Sequence, residues 1–172
     1  MMYASYRPLS KRKIGKWRSA YGSEGHSYNA KRSSTNMISA ITNQGKVRFK
    51  VFEGTMNADI LMGFCKRLIR SARRKVYLIL DNLRVHHAKI FRAWLEERKD
   101  EIEVLYLPSY FPELNPGEYL NCDLKAGVYS GKTARDMKQL KKKILSHMRM
   151  LQKKPQQVAK YFEHQKIEYA AE

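Results

Sequence analysis

Apolar and polar residues follow two periods along this chain. The run Val76-Tyr77-Leu78-Ile79-Leu80 has the length and side-chain type of a buried strand and stops at a carboxylate, Asp81. Ile90, Phe91, Trp94 and Leu95 then recur at helical spacing, with Lys89, Arg92, Glu96, Glu97 and Lys99 on the other face. A second strand follows over residues 103–107 and ends at Pro108. Asn115-Pro116-Gly117-Glu118 has the residues of a helix start, and that helix is expected to end near Val128. Strand, helix, strand, helix is a βαβα unit whose strands should be parallel neighbours. Asp81 and Glu118 then fall at one edge of the sheet, beyond the carboxyl ends of its strands, where open α/β folds place ligands.

Upstream, Val47, Phe49 and Val51 alternate with Arg48 and Lys50. Together with a strand over residues 37–41 and the turn Asn43-Gln44-Gly45, they predict a β-hairpin. Asn57 caps a helix reaching about Ala72, with Ile60, Leu61, Phe64, Leu68 and Ile69 inward and a basic run, Arg70, Arg73, Arg74 and Lys75, at its carboxyl end. After Gly131, Thr133 is read as the cap of a further helix carrying Met137, Leu140, Ile144, Met148 and Leu151 on one side. Pro155 opens a last short helix, with Val158, Tyr161 and Phe162 packing back. Residues 1–35 show no clean period and read as an irregular arm, rich in Lys, Arg, Tyr and Trp, before a core over residues 36–172.

Composition narrows the partner. The 172 residues make one domain, 43% hydrophobic and 29% charged, as a folded protein requires. Lys and Arg number 34 against 16 Asp and Glu, a net charge of +18 that points to a polyanion. Lys138, Lys141, Lys142 and Arg149 lie in a segment without acids, residues 138–154, so phosphate contact and a solvated helix face are about equally expected there. No apolar run approaches the ~18 residues of a membrane span, and no signal-peptide core opens the chain, so the expected location is cytoplasmic. Cys65 and Cys122 form no CxxC pair and read as buried free thiols.

The two acids have plainer readings as well. Asp81 at a strand end also suits a solvated loop, and Glu118 at the third helical position also suits the return half of a capping box. Asn82, His86 and His87 follow Asp81 and fit either of two roles, orienting it or capping the next helix; Arg84 is placed to touch a phosphate.

The stretch Leu80-Asp81-Asn82-Leu83-Arg84-Val85-His86-His87, the helix ending in Trp94-Leu95, Leu107-Pro108-Ser109-Tyr110, Pro112-Glu113-Leu114-Asn115-Pro116, Glu118, and Asn121 with Leu124-Lys125 resemble the catalytic core of bacterial insertion-sequence transposases related to the mariner group. These are DDE superfamily endonucleases. The 36 residues 82–117 between the two acids match the family's gap between its second and third acids, and the likeness extends more weakly back to about Asn36. The resemblance implies an α/β, ribonuclease-H-like mixed sheet flanked by helices. It implies Asp81 and Glu118 as catalytic ligands of Mg²⁺ or Mn²⁺, and DNA cleavage and strand transfer as the reaction. Double-stranded DNA becomes the partner, and a homodimer is the implied assembly. The family's first Asp should end a strand ahead of the hairpin, yet residues 1–35 hold one acid, Glu24, in a Gly- and Ser-rich loop. The expectation is therefore a core lacking its first strand and first metal ligand, inactive alone and in want of an upstream transposase segment. A non-enzymatic DNA-binding remnant and another ribonuclease-H-like nuclease using Glu24, Glu53 or Asp59 are the alternatives.

Overall fold

The computed structural model describes residues 1–9, 35–81, 84–108, 114–130, 134–164 and 167. Five strands form one mixed sheet: β1 (Met2–Leu9), β2 (Thr35–Ile41), β3 (Val47–Glu53), β4 (Val76–Leu80) and β5 (Ile102–Tyr106). Their order across the sheet is β3-β2-β1-β4-β5. The first three are antiparallel neighbours, whereas β1–β4 and β4–β5 run parallel. Helices α1 (Ala58–Ala72), α2 (Lys89–Glu96), α3 (Pro116–Tyr129), α4 (Met137–Gln152) and α5 (Pro155–Ala159) complete the fold, with 3₁₀ turns at Arg84–His87 and Lys160–Phe162.

The mixed α/β sheet agrees with the sequence reading, but the expected gap at its first strand does not exist. Met2–Leu9 is not part of an irregular arm. It is the central strand, pairing β2 from Tyr3 to Leu9 and β4 from Met2 to Ala4. Tyr3 and Ala4 are each 1% exposed, because helices cover both faces at this point. The strand is hidden in the sequence because Met-Tyr-Ala-Ser-Tyr-Arg-Pro-Leu mixes small, aromatic and basic residues, with no apolar run. Pro8 is tolerated because the ladder to β4 has already ended, which leaves that part of the strand paired on one side. With β1 in place, no apolar edge is left open between hairpin and parallel strands. The remainder of the expected arm, residues 10–34 with Glu24, lies outside the described residues.

Strand alternation divides the core between the two faces. Tyr3, Met37, Ile41 and Ile79 pack with Leu120, Leu124 and Val128 of α3 and with the Leu140, Ile144, Met148 and Leu151 stripe of α4. Ala4, Ile38, Leu78 and Leu80 pack with Leu61, Phe64 and Leu68 of α1 and with Phe91 and Trp94 of α2. Asn57 Oδ1 accepts from Ile60 N at 2.9 Å, the expected cap of α1. The next helix cap differs from expectation: Asp136, not Thr133, caps α4 through Gln139 N at 2.7 Å. Thr133 itself lies outside the described residues. Ile90 is 58% exposed because Phe91 and Trp94, with Leu95 partly buried beside them, fill the inward face of the eight-residue α2. Cys65 is buried as expected, but Cys122 is exposed on the outer side of α3.

Candidate active site

Leu80 makes the last rung of β4 with Ala4, and the chain then leaves the sheet at Asp81. Asn115 starts α3 at the same rim, its side chain accepting from Gly117 N at 2.9 Å, with Pro116 preset for the first helical position. Glu118 thereby enters the first turn of α3, and its Oε1 accepts from Asn121 Nδ2 at 3.2 Å. The two acids come together. Burial, then the nearby charge of Glu118, pushes the Asp81 carboxyl up from its ordinary 3.8 to about 7, partly opposed by a backbone hydrogen bond. A carboxylate pair that raises one member's proton affinity is the electrostatic mark of a cation or proton-transfer site.

His86 holds Asp81 from below. Its ring is 2% exposed, and Nδ1 stands 2.6 Å from the main-chain oxygen of Asp81. A carbonyl only accepts, so the Nδ1 proton is fixed there. Burial favours the neutral imidazole, so the 3.3 Å approach of Nδ1 to Asp81 Oδ1 is not an ion pair. With the proton committed to the main chain, Oδ1 is left buried without a hydrogen-bond partner. Tyr106, the last residue of β5, donates its hydroxyl to His86 O at 2.9 Å, and its ring lies tilted against that of His87 with centroids 4.7 Å apart.

The alternative of His86 and His87 as helix caps is not what forms: Ala88 occupies the cap of α2, without a side-chain hydrogen bond. Arg84 opens the 3₁₀ turn after Asp81, and Asn82 lies outside the described residues. Tyr106 is not evident from the sequence because its part depends on a bond spanning 20 residues. Its position at a strand end, level with Leu80, is the signal that could have found it.

The donor set suits one hard divalent cation: two carboxylates meet at the rim, and one presents a buried, unsatisfied oxygen. It does not suit two. Two formal negative charges face four positive ones, and among the described residues no group of three His, Cys, Asp or Glu is placed to hold a metal.

A basic face extends away from this rim. Lys141 Nζ reaches Glu53 Oε1 at 3.3 Å near the end of β3, and Gln152 Nε2 bonds Val47 O at 3.0 Å near its start, so α4 runs antiparallel to β3. Its outer side lines an open groove of about 890 Å³ with Lys138, Lys141, Lys142, Arg149, Lys153 and Lys154. Lys143 is turned inward onto Val128 O at 3.1 Å and is not among them. No described helix is long and apolar enough to cross a membrane.

The fold is shared with known proteins. Solved structures of the mariner transposase Mos1 share the fold. Its paired-end complex with Mg matches at a TM-score of 0.63 and 17% identity, covering 99% of this chain and 55% of that one. The Mos1 catalytic domain matches at 0.61 and 15%, covering 99% and 82%. The Mos1 strand transfer complex matches at 0.60 and 16%, covering 99% and 54%. This chain thus spans little more than half of the longer Mos1 chains it resembles. No curated protein matches it. Residues 11–141, well over half of the chain, match the model of the DDE superfamily endonuclease, and the chain belongs to that family.

Proposed function

We propose that this chain is the catalytic domain of a DNA transposase, built for metal-dependent cleavage and transfer of DNA strands and held below activity, in isolation, because its described residues bring only two acids to the site. The observation that carries the reading is the meeting of Asp81 and Glu118, separated by 36 residues in sequence, at one rim of a ribonuclease-H-like sheet. Asp81 and Glu118 are the residues that hold Mg²⁺ or Mn²⁺, as in the Mos1 complexes named for those metals. When bound, such an ion polarises a phosphodiester and makes the attacking oxygen more acidic. His86 fixes the Asp81 main chain, Tyr106 fixes His86, and Asn121 steadies the Glu118 carboxylate. Lys138, Lys142 and Arg149 attract the DNA backbone, with Lys141 partly engaged by Glu53 and Arg84 close to Asp81 in sequence.

The substrate is double-stranded DNA, by analogy with Mos1 structures named as paired-end complexes. Pairing of two DNA ends favours a homodimer as the working assembly. The test uses the full chain with supercoiled plasmid and Mg²⁺ or Mn²⁺. The expected result is salt-sensitive DNA binding, Mn²⁺ uptake lost on Asp81→Asn or Glu118→Gln, and no nicking. Vigorous Mg²⁺-dependent nicking abolished by Asp81→Asn would show that the site is complete and overturn the claim of incompleteness.

A second reading, a DNA-binding protein without catalysis, is favoured by the acid-free basic face of α4. It expects DNA affinity indifferent to Asp81→Asn and no Mn²⁺ taken up at Asp81.

A further inference from the structure

A second basic surface lies across the sheet from α4, on the face that α1 covers. Arg67 and Arg70 lie one turn apart on α1, Arg74 follows just past its end, and all three are exposed. Strand alternation puts Arg48 of β3 on the same face as Phe52, which packs with Leu61 and Phe64 of α1. Arg48, Arg67 and Arg70 accordingly line one open groove of about 410 Å³ between strand and helix. Past Arg48 and Ser71 the groove continues to Lys46 and Arg74. Among the described residues, no carboxylate lines either section. The helix macrodipole accounts for Arg70 and Arg74 at the carboxyl end of α1. It does not account for Arg67, a turn earlier, or for Lys46 and Arg48, which come from the hairpin. Five cations drawn from two elements repel one another until an anion joins them.

We propose that this groove holds the backbone of a second DNA duplex, so that one chain carries two duplex segments, one against α4 and one between α1 and β3. The proposal rests on DNA as the partner and adds a surface independent of Asp81 and Glu118. Four of the five cations are arginines, whose planar fork takes two phosphate oxygens at once. Their spread along the groove suits an extended polyanion better than a single phosphate. The segment held here is not the one that meets the acid pair. α1 ends where β4 begins, so Arg74 lies toward the rim opposite Asp81, and the five residues of β4 set the two rims ~16 Å apart.

Sedimentation velocity tests this by counting fluorescent duplexes of about 12 bp bound per full-length chain at saturation, in about 50 mM salt. The parent is compared with Arg67→Gln/Arg70→Gln/Arg74→Gln, with Lys46→Gln/Arg48→Gln, and with Lys138→Ala/Lys142→Ala/Arg149→Ala on α4. The parent should bind two duplexes and each variant one. The arginine variant should also lose about 2–3 from the salt slope of the parent's second binding step. The two groove variants change different elements, so if one fails to fold the other decides. Two duplexes on a folded groove variant, at the parent's affinity, overturn the proposal. A parent that binds one duplex, lost in the α4 variant alone, overturns it too and leaves the proposed function standing. A parent that binds none removes DNA as the partner of this chain, and the groove's role with it. Poly-glutamate that displaces the second duplex at a tenth of the concentration needed by competing duplex would make the occupant an acidic protein and overturn the proposal.

Discussion

His86 Nδ1 donates to the main-chain oxygen of Asp81 at 2.6 Å, so the ring that grips this acid does so without neutralising its charge. An ion pair would compete with a bound cation for the carboxylate. A bond to the backbone fixes the position of Asp81 and leaves Oδ1 unclaimed. His86 is accordingly a positioning residue, and Tyr106 supports it through the 2.9 Å bond to His86 O.

His86→Ala should cost about 1–3 kcal/mol, because it empties a buried site and orphans the Asp81 carbonyl. Tyr106→Phe, which removes one hydrogen bond, should cost about 1 kcal/mol. Both should weaken Mn²⁺ binding, His86→Ala more. Urea denaturation and Mn²⁺ titration on the same preparations check this. Unchanged Mn²⁺ affinity in His86→Ala would remove the positioning role.

Asp81 makes apoprotein stability fall with rising pH. Its carboxyl titrates near 3.8 when unperturbed and near 7 when folded. Between those values the folded state keeps a proton that the unfolded state has released, so stability declines from about pH 4 to about pH 7 and then levels. Asp81→Asn removes that decline. The variant should equal the parent near pH 4 and exceed it by about 1–3 kcal/mol at pH 8, a range set below the full linkage value because the side chain is 29% exposed. Mn²⁺ should restore the parent's stability at pH 8 and leave Asp81→Asn unmoved. Thermal melts at pH 4, 6 and 8 decide it; a parent whose melting point rises steadily over this range contradicts the shift.

Legibility of the sequence followed how far each signal reaches. Val76–Leu80 announces itself as a strand because five consecutive residues carry the pattern. Asn57 and Asn115 announce helix starts because capping is local chemistry. The two acids are legible through their spacing and the motif around them. The central strand is not, because its burial comes from helices distant along the chain, around Leu61 and Phe64 on one face and around Leu120 and Leu124 on the other. Tyr106 belongs to the same class, a side chain whose partner is distant in sequence.

Gly127 is a helical glycine whose replacement should do harm. Gly to Ala within a helix ordinarily stabilises by up to ~1 kcal/mol. Here a methyl group would collide with the imidazole of His147, whose Nε2 lies 2.9 Å from Asp123 Oδ1. Asp123 is also bonded by Gln157 at 2.7 Å and by Tyr161, so the cluster ties α3, α4 and α5 together. Gly127→Ala should therefore cost about 1–3 kcal/mol through displacement of the ring. In a His147→Ala background the same change should be neutral or stabilising. A double-mutant cycle by chemical denaturation reads the coupling, and additive costs would remove the clash as the cause.

The outer face of α4 should control DNA affinity through charge alone. Lys138, Lys142 and Arg149 are exposed and line one groove, so their removal should leave stability within about 0.5 kcal/mol of the parent. Removing one phosphate-binding cation should lower the slope of log affinity against log salt by about 1. Lys141→Ala should have a smaller effect, since its ammonium already lies 3.3 Å from Glu53. Lys143→Ala should leave the slope unchanged, because that side chain is occupied with Val128 O. Fluorescence anisotropy with duplex DNA from about 50 to 300 mM salt measures the slopes. A Lys138→Ala/Lys142→Ala/Arg149→Ala variant with the parent's slope would mean that DNA follows another surface, and the groove along α4 would lose its role.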